Sequence, residues 1–141
     1  MQLKNKIALV TGASSGIGKA IAEKFASEGA LVILTSRNLD RLKEVENSIK
    51  KNNGKADSIV MDVTDREQVK NAVLGIIEKY KKIDVLVNNA GIARWGPIED
   101  VSYEDFDEQI KFNLTGSFNT IKEIAPIMIE QKSGSIVNII T

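Results

Sequence analysis

The sequence contains no cysteine and no histidine. Without thiols no disulfide can staple the chain, and without thiolates or imidazoles the common metal-ligand sets and every Cys- or His-based catalytic triad are excluded. Any chemistry must run on hydroxyls, amides, lysines or carboxylates. An excess of one charge is missing too. Nineteen basic side chains balance nineteen acidic ones, so nothing marks a surface for polyanions or acidic lipid, and neither nucleic acid nor a membrane is an expected partner. The opening Met1-Gln2-Leu3-Lys4-Asn5-Lys6 lacks the long apolar run of a signal peptide or a spanning helix. A cytoplasmic setting is the expectation. What is present is 141 residues, 43% hydrophobic and 27% charged, which fits one globular domain over 1–141 with one core.

The chain is organised around Ile7 to Gly18. Ile7, Ala8, Leu9 and Val10 form an unbroken apolar run, the pattern of a strand buried on both faces of a parallel sheet. It stops at Thr11-Gly12. In the small-residue turn that follows, Gly12, Gly16 and Gly18 remove β-carbons that would keep a ligand or a neighbouring strand off the backbone, and the periodicity then becomes helical. Strand, glycine turn and helix together favour a bound diphosphate, held by free N–H groups and the positive end of the helix dipole. A tight turn that merely packs well carries the same glycines, so other stretches must decide.

Ile17, Ile21 and Phe25, with Ala22 and Ala26 beside them, predict the core stripe of a helix ending near Glu28-Gly29. A second strand is expected over 31–35. Asn38 then caps a helix carrying Leu39, Leu42, Val45 and Ile49, with its stop at Asn53-Gly54. A third strand is expected over 58–61, and Thr64 with Glu67 has capping-box spacing ahead of Val69, Val73, Ile76, Ile77 and Tyr80. Ile83 to Val87 reads as the fourth strand. Ser102 with Asp105 opens a long helix through Phe106, Ile110, Leu114, Phe118, Ile121 and Ile124 that Pro126 kinks or ends. Ser135 to Ile140 is the fifth. Strands alternating with helices predict a doubly wound α/β parallel sheet, because parallel neighbours need right-handed crossovers.

Thr11-Gly12-Ala13-Ser14-Ser15-Gly16-Ile17-Gly18, Asp62-Val63, Asn88-Asn89-Ala90-Gly91 and Asn113 occur in that order. With them the sequence resembles the N-terminal portion of a short-chain dehydrogenase/reductase, from the first strand to Thr141. The resemblance implies an incomplete Rossmann fold with strand order 3-2-1-4-5, and a pyridine dinucleotide lying across the carboxyl ends of its strands. It places Ser14, Ser15, Gly16, Ile17 and Gly18 at the diphosphate, Asp62 at the adenine with Val63 against the ring, and Asn113 at a water in a proton relay. The residues themselves leave other readings open. Asp62 also suits a turn before Thr64, and Asn113 sits in the weak helical stretch Leu114-Thr115-Gly116. The amides of Asn88 and Asn89 are suited to tying neighbouring strand ends together, while Ala90 and Gly91 leave room for a ribose.

Cofactor choice is read at the end of the second strand, where an acidic side chain suits the ribose 2'-hydroxyl of NAD and an arginine suits the 2'-phosphate of NADP. The sequence there is Thr35-Ser36-Arg37-Asn38, with no carboxylate. Arg37, helped by the Ser36 hydroxyl and the Asn38 amide, favours NADP(H) over NAD(H). The competing reading is a solvated charge beside Asp40.

By the same alignment Thr141 stands where the family has its catalytic serine, and its hydroxyl can make the same hydrogen bond to a carbonyl oxygen. The family's Tyr-x-x-x-Lys pair does not occur in these residues: Tyr80 and Tyr103 are followed four residues later by Asp84 and Asp107. General-acid help is commonly worth about 10²- to 10⁴-fold. The expectation is therefore the cofactor-binding part of an NADP(H)-dependent oxidoreductase that moves hydride between nicotinamide and a small carbonyl or secondary alcohol. The alternative is a truncated, catalytically inert dinucleotide-binding fragment that associates with another chain. Other nucleotide chemistry on the same fold is a third reading, against which the Asn-Asn-Ala-Gly stretch speaks. Self-association is expected either along the long helix from Tyr103 or through the edge of the fifth strand.

Overall fold

The computed structural model describes residues 1–140. Its strands β1 (Ile7–Thr11), β2 (Leu31–Ser36), β3 (Lys55–Val60), β4 (Val85–Asn88) and β5 (Ser135–Asn138) form one parallel sheet, as the alternation predicts, in the order β3-β2-β1-β4-β5 that the resemblance implies. The crossovers carry α1 (Gly16–Ser27), α2 (Leu39–Lys51), α3 (Arg66–Tyr80), α4 (Tyr103–Ile110) and α5 (Gly116–Gln131).

The central strands explain their own sequence. Leu9 of β1 is in register with Ile33 of β2 and Leu86 of β4. Successive side chains point to opposite faces, so the apolar run divides between two cores. On one face Ala8, Val10, Val32, Leu34 and Val87 pack with Ala22 and Ala26 of α1 and with Leu42, Val45 and Ile49 of α2. On the other face Leu9, Ile33 and Leu86 pack with Val69, Val73 and Ile76 of α3 and with Ile124 and Met128 of α5. Helices cover both sides. That is why the strands read as continuous apolar runs instead of alternating.

Several elements depart from the sequence expectation. In α1 the sheet-facing residues are Gly18, Ala22 and Ala26, while Ile17 is 63% exposed. Ile21 and Phe25 of the expected stripe are half-buried at the edge of that core, so only Ile17 leaves it, and the closest approach to the sheet is kept for the small residues. Strand β3 runs over 55–60 instead of 58–61, pairing Lys55 with Leu31 and Ser58 with Leu34. As an edge strand it carries polar Lys55, Asp57 and Ser58, which hide its start from a hydrophobic reading.

The cap of α3 is Asp65, whose Oδ1 accepts from the N–H groups of Glu67 and Gln68 at 3.0 and 3.1 Å. Thr64, the expected cap, instead spends its N–H and hydroxyl on Asp62 Oδ1, both at 2.8 Å. The long helix is interrupted. A π turn over Lys111–Thr115 separates α4 from α5, and α5 continues past Pro126 to Gln131. Strand β5 stops at Asn138, although the Ile139 N–H still reaches the Asn88 carbonyl at 2.9 Å. Among the described residues no helix is long and apolar enough to cross a membrane.

Candidate functional site

A cavity of about 470 Å³ opens at the carboxyl ends of β1 to β4. Parallel strands place their carboxyl ends side by side, and a crevice forms where the chain order reverses, here between β1 and β4.

The glycine turn after β1 builds one wall. Gly12 has φ +64°, and a β-carbon on it would lie 2.9 Å from the Ala90 Cα, so any side chain would close the crevice and strain the turn. Gly16 has φ +53° with nothing within 4 Å of its would-be β-carbon: open space lies above the helix start. Ser15 occupies the cap position of α1 but makes no side-chain cap hydrogen bond, and the first backbone donor satisfied there is Lys19, bonded to the Ser15 carbonyl at 3.1 Å. The N–H groups of the first turn thus face a space large enough for an anion, with the helix dipole behind them. Gly12, Ser14, Ser15, Gly16 and Ile17 all line the cavity. Gly18 does not. It is buried beneath, where a β-carbon would strike the Gly12 carbonyl oxygen and sit 2.5 Å from Asn89 Nδ2.

The paired amides at the end of β4, Asn88 its last residue and Asn89 just beyond, separate into different roles. Asn89 Nδ2 donates to the carbonyls of Thr11 and Gly12 at 3.1 and 3.3 Å, lacing β4 to β1. Thr11, buried to 1%, answers with its hydroxyl, which accepts from the N–H groups of Asn89 and Ala90 at 3.0 and 2.9 Å. Asn88 lies behind the wall and not on it. Its Nδ2 donates to Asn138 Oδ1 at 2.9 Å and its Oδ1 accepts from the Thr120 hydroxyl at 2.5 Å, tying β4 to β5 and α5. Every one of these buried polar atoms has a partner, so the strand ends are fixed before any ligand arrives. Asn89, Ala90 and Gly91 line the cavity.

Ser36, Arg37, Asp62 and Val63 line the opposite end. Ser36 Oγ accepts from the Asn38 N–H at 3.2 Å, and Asn38 Oδ1 caps α2 by accepting from the Arg41 N–H at 3.0 Å. Arg41, in the first turn of the helix that this cap opens, lines the cavity as well as Arg37. Sequence reading passed over Arg41; its position in the first turn of a helix that starts at the cavity rim was the available signal. Among the described residues neither arginine pairs with a carboxylate, Asp40 included; the guanidinium carbon of Arg37 sits instead 4.8 Å from the centroid of the Phe112 ring. Asp62 makes the turn before Thr64, which takes its Oδ1, and the residue also lines the cavity with Oδ2 free of protein hydrogen bonds.

Asn113 lies in the π turn, exposed, and grips the backbone of Ile92 from both sides. Its Oδ1 accepts from the Ile92 N–H and its Nδ2 donates to the Ile92 carbonyl, each at 2.9 Å. Two further contacts from the same helix hold the same loop. Gln109 Oε1 accepts from the Arg94 N–H at 3.0 Å, and Glu108 takes the Arg94 guanidinium at 2.6 Å, holding it firmly protonated. Tyr80 and Tyr103 lie away from the cavity. Tyr80 donates to Asp57 between α3 and β3, and Tyr103 is 88% exposed on α4. Thr141 lies outside the described residues.

Comparison with known proteins agrees with this fold. The family profile described as short chain dehydrogenase matches residues 6–141. The chain is 48% identical to the 3-oxoacyl-(acyl-carrier-protein) reductase FabG of Thermotoga maritima, over 99% of its own length and 56% of that protein. An uncharacterized oxidoreductase of Bacillus subtilis is 41% identical, over 97% of this chain and 50% of its own. Among solved structures, a metagenomic short-chain oxidoreductase in complex with NADP superposes with a TM-score of 0.92 at 37% identity, covering 98% of this chain and 63% of that one. An NAD+-bound xylitol dehydrogenase superposes with a TM-score of 0.94, also at 37% identity, over 98% and 54%. The chain spans just over half the length of the curated relatives it matches.

Proposed function

The chain belongs to the short-chain dehydrogenase family, and from that premise we propose that residues 1–141 are a single dinucleotide-binding domain, preferring NADP(H), of an oxidoreductase acting on a small carbonyl or secondary alcohol. The observation that carries the cofactor reading is the cavity itself. At one end lie unsatisfied first-turn N–H groups beneath a glycine wall that a β-carbon would fill; at the other lie Arg37 and Arg41, with no carboxylate at the end of β2. The first end suits a diphosphate and the second a 2'-phosphate.

When bound, the nicotinamide ring supplies or accepts the hydride. The chain's own residues bind and orient. Gly12 and Gly16 let the backbone approach the diphosphate, and Ser14 and Ser15 add hydroxyl donors beside it. The free Asp62 Oδ2 is an acceptor for an exocyclic amino group, with Val63 beside it. Ala90 and Gly91 leave space after β4, and Asn113 fixes the loop at Ile92 where that wall continues. Protonation of the substrate oxygen is proposed for the whole protein, with the Thr141 hydroxyl as one hydrogen-bond partner. The exposed Tyr103 and Phe106 of α4, Leu114 of the π turn and Phe118 of α5 support self-association there, and the half-exposed Val137 of β5 supports the strand edge as the other route. The balanced charge supports a protein without nucleic acid or membrane partners, and a cytoplasmic setting is part of the proposal.

Calorimetric titration of the protein with NADPH and NADH tests the reading. NADPH should bind more tightly, and Arg37→Asp should move the preference toward NADH. An unchanged ratio would show that the 2'-phosphate lies elsewhere, and no binding of either cofactor would remove the reading.

A further inference from the structure

Helix α2 ends on a chemically labile pair of residues. The Asn53 N–H donates to the Lys50 carbonyl at 3.1 Å and the Gly54 N–H to the Ile49 carbonyl at 2.9 Å, the two crossed bonds that close a helix on a left-handed residue. That residue is Asn53, with φ +60°. Glycine is the usual occupant, and asparagine is among the few side chains that tolerate the conformation. Gly54 answers a different demand: a β-carbon on it would lie 2.7 Å from Ile49 Cγ2 and 3.1 Å from Ala26 Cβ, where α1, α2 and the approach to β3 meet. Two separate requirements thus place an asparagine directly before a glycine. Asn53 is the one asparagine of the sequence so followed, and it is exposed.

We propose that Asn53 is a site of spontaneous deamidation, and that the closed end of α2 governs its rate. The Gly54 backbone nitrogen gives its proton to hydroxide and attacks Asn53 Cγ. The N–Cγ bond forms, the Cγ–Nδ2 bond breaks, and the amide nitrogen leaves as ammonia, taking a proton from water and restoring the hydroxide. Water then opens the resulting five-membered imide. Attack at Cγ gives aspartate, whereas attack at the Asn53 main-chain carbonyl gives isoaspartate, whose chain runs through Cβ and Cγ. Nothing is oxidised or reduced. A successor with a side chain would shield the attacking nitrogen, and Gly54 has none. In the closed cap, however, that nitrogen is bonded to the Ile49 carbonyl, so the ring forms only after the cap opens.

The two crossed hydrogen bonds set the delay. Each biases the end of α2 toward its closed form by about two- to twelvefold, so together they slow the reaction about 5- to 150-fold relative to the unfolded chain. A helix end opens far more readily than a core strand, so the reaction proceeds from the folded protein. Both products bring a carboxylate to the negative end of the α2 dipole. Isoaspartate also lengthens the main chain by a methylene directly before Gly54, whose place against Ile49 and Ala26 leaves no room to shift. The junction between α2 and the edge strand β3 is therefore where an aged molecule loosens.

The test incubates the full chain in warm, mildly alkaline buffer, folded and in urea. Peptide mass spectrometry reads conversion of Asn53, enzymatic methylation reads isoaspartate, and hydrogen exchange reads the Gly54 amide. In urea Asn53 should convert faster than any other asparagine. Folding should slow it about 5- to 150-fold, by the same factor as it protects the Gly54 amide, because one opening exposes both. Aged wild type should melt about a few degrees lower, while Asn53→Gly, which keeps the left-handed residue and removes the carboxamide, should age without change. Another asparagine leading in urea overturns the site. Equal rates in the two conditions, or an intact Asn53 in folded protein whose Gly54 amide exchanges freely, overturn the control by the cap. A sample converted at Asn53 that melts with fresh protein overturns the loosening.

Discussion

Gly18→Ala tests the close approach of α1 to the strand ends, the feature on which the cavity depends. A β-carbon there would collide with the Gly12 carbonyl oxygen and lie 2.5 Å from Asn89 Nδ2 and 2.9 Å from the Gly12 carbonyl carbon. Two of the three atoms are backbone and cannot swing aside. The third donates to the Thr11 and Gly12 carbonyls and loses those bonds if displaced. Overpacking a tight site costs about 1–3 kcal/mol, and stranding a buried polar group costs about 1–3 kcal/mol. Alanine's higher helix propensity returns at most about 1 kcal/mol. The net is a loss of about 1–5 kcal/mol, centred near 3, which for a domain of this size lowers Tm by roughly 10 °C.

Gly75→Ala is the control of opposite sign. Gly75 is exposed inside α3, and nothing lies within 4 Å of its would-be β-carbon. The change should stabilise by about 0.8–1.0 kcal/mol and raise Tm by a few degrees. Thermal melts followed by circular dichroism read both. A Gly18→Ala protein melting within about 2 °C of wild type would refute the packing argument, and with it the reason α1 presents its smallest residues to the sheet.

Other consequences follow from the polar contacts. Burial would raise the carboxyl pKa of Glu46, but Lys43, Lys50 and the Ser58 hydroxyl hold it down to about 2 against an ordinary 4.5. The stability it confers is therefore complete above about pH 4.5 and is lost as pH falls toward 2. Screening of the half-exposed lysines leaves this near 1–2 kcal/mol; urea unfolding at several pH values should show the loss in wild type and a flatter profile in Glu46→Gln. Thr120→Val keeps the shape but leaves Asn88 Oδ1 without its donor in a buried place, at a cost of about 1–3 kcal/mol in chemical denaturation; an unaffected midpoint would mean the tie between β4 and α5 is dispensable. Asn113→Asp keeps the acceptor for the Ile92 N–H but turns a second acceptor on the Ile92 carbonyl. Hydrogen exchange over residues 91–95 should quicken while exchange in β1 stays slow, and equal rates in both proteins would exclude the clamp.

The sequence alone determined the order of elements and the central strands, because residues buried on both faces must be apolar throughout and Ile7–Val10 and Leu31–Leu34 are. It also determined the glycine turn, the Asn38 cap and the absence of a carboxylate after β2, since these are local: each depends on a few adjacent residues and the backbone geometry they permit. Only the tertiary structure decided how the inner face of α1 is shared, with Gly18, Ala22 and Ala26 buried, Ile21 and Phe25 at their edge and Ile17 left exposed. It alone divided the work of Asn88 and Asn89, identical side chains one residue apart that a strand points to opposite sides, one toward β5 and α5, the other toward β1. It alone brought Arg41 and Phe112 to the same cavity as Arg37. Phe112 gets there through a π turn, whose extra residue shifts the helical register and leaves no mark in the apolar spacing from Phe106 to Phe118.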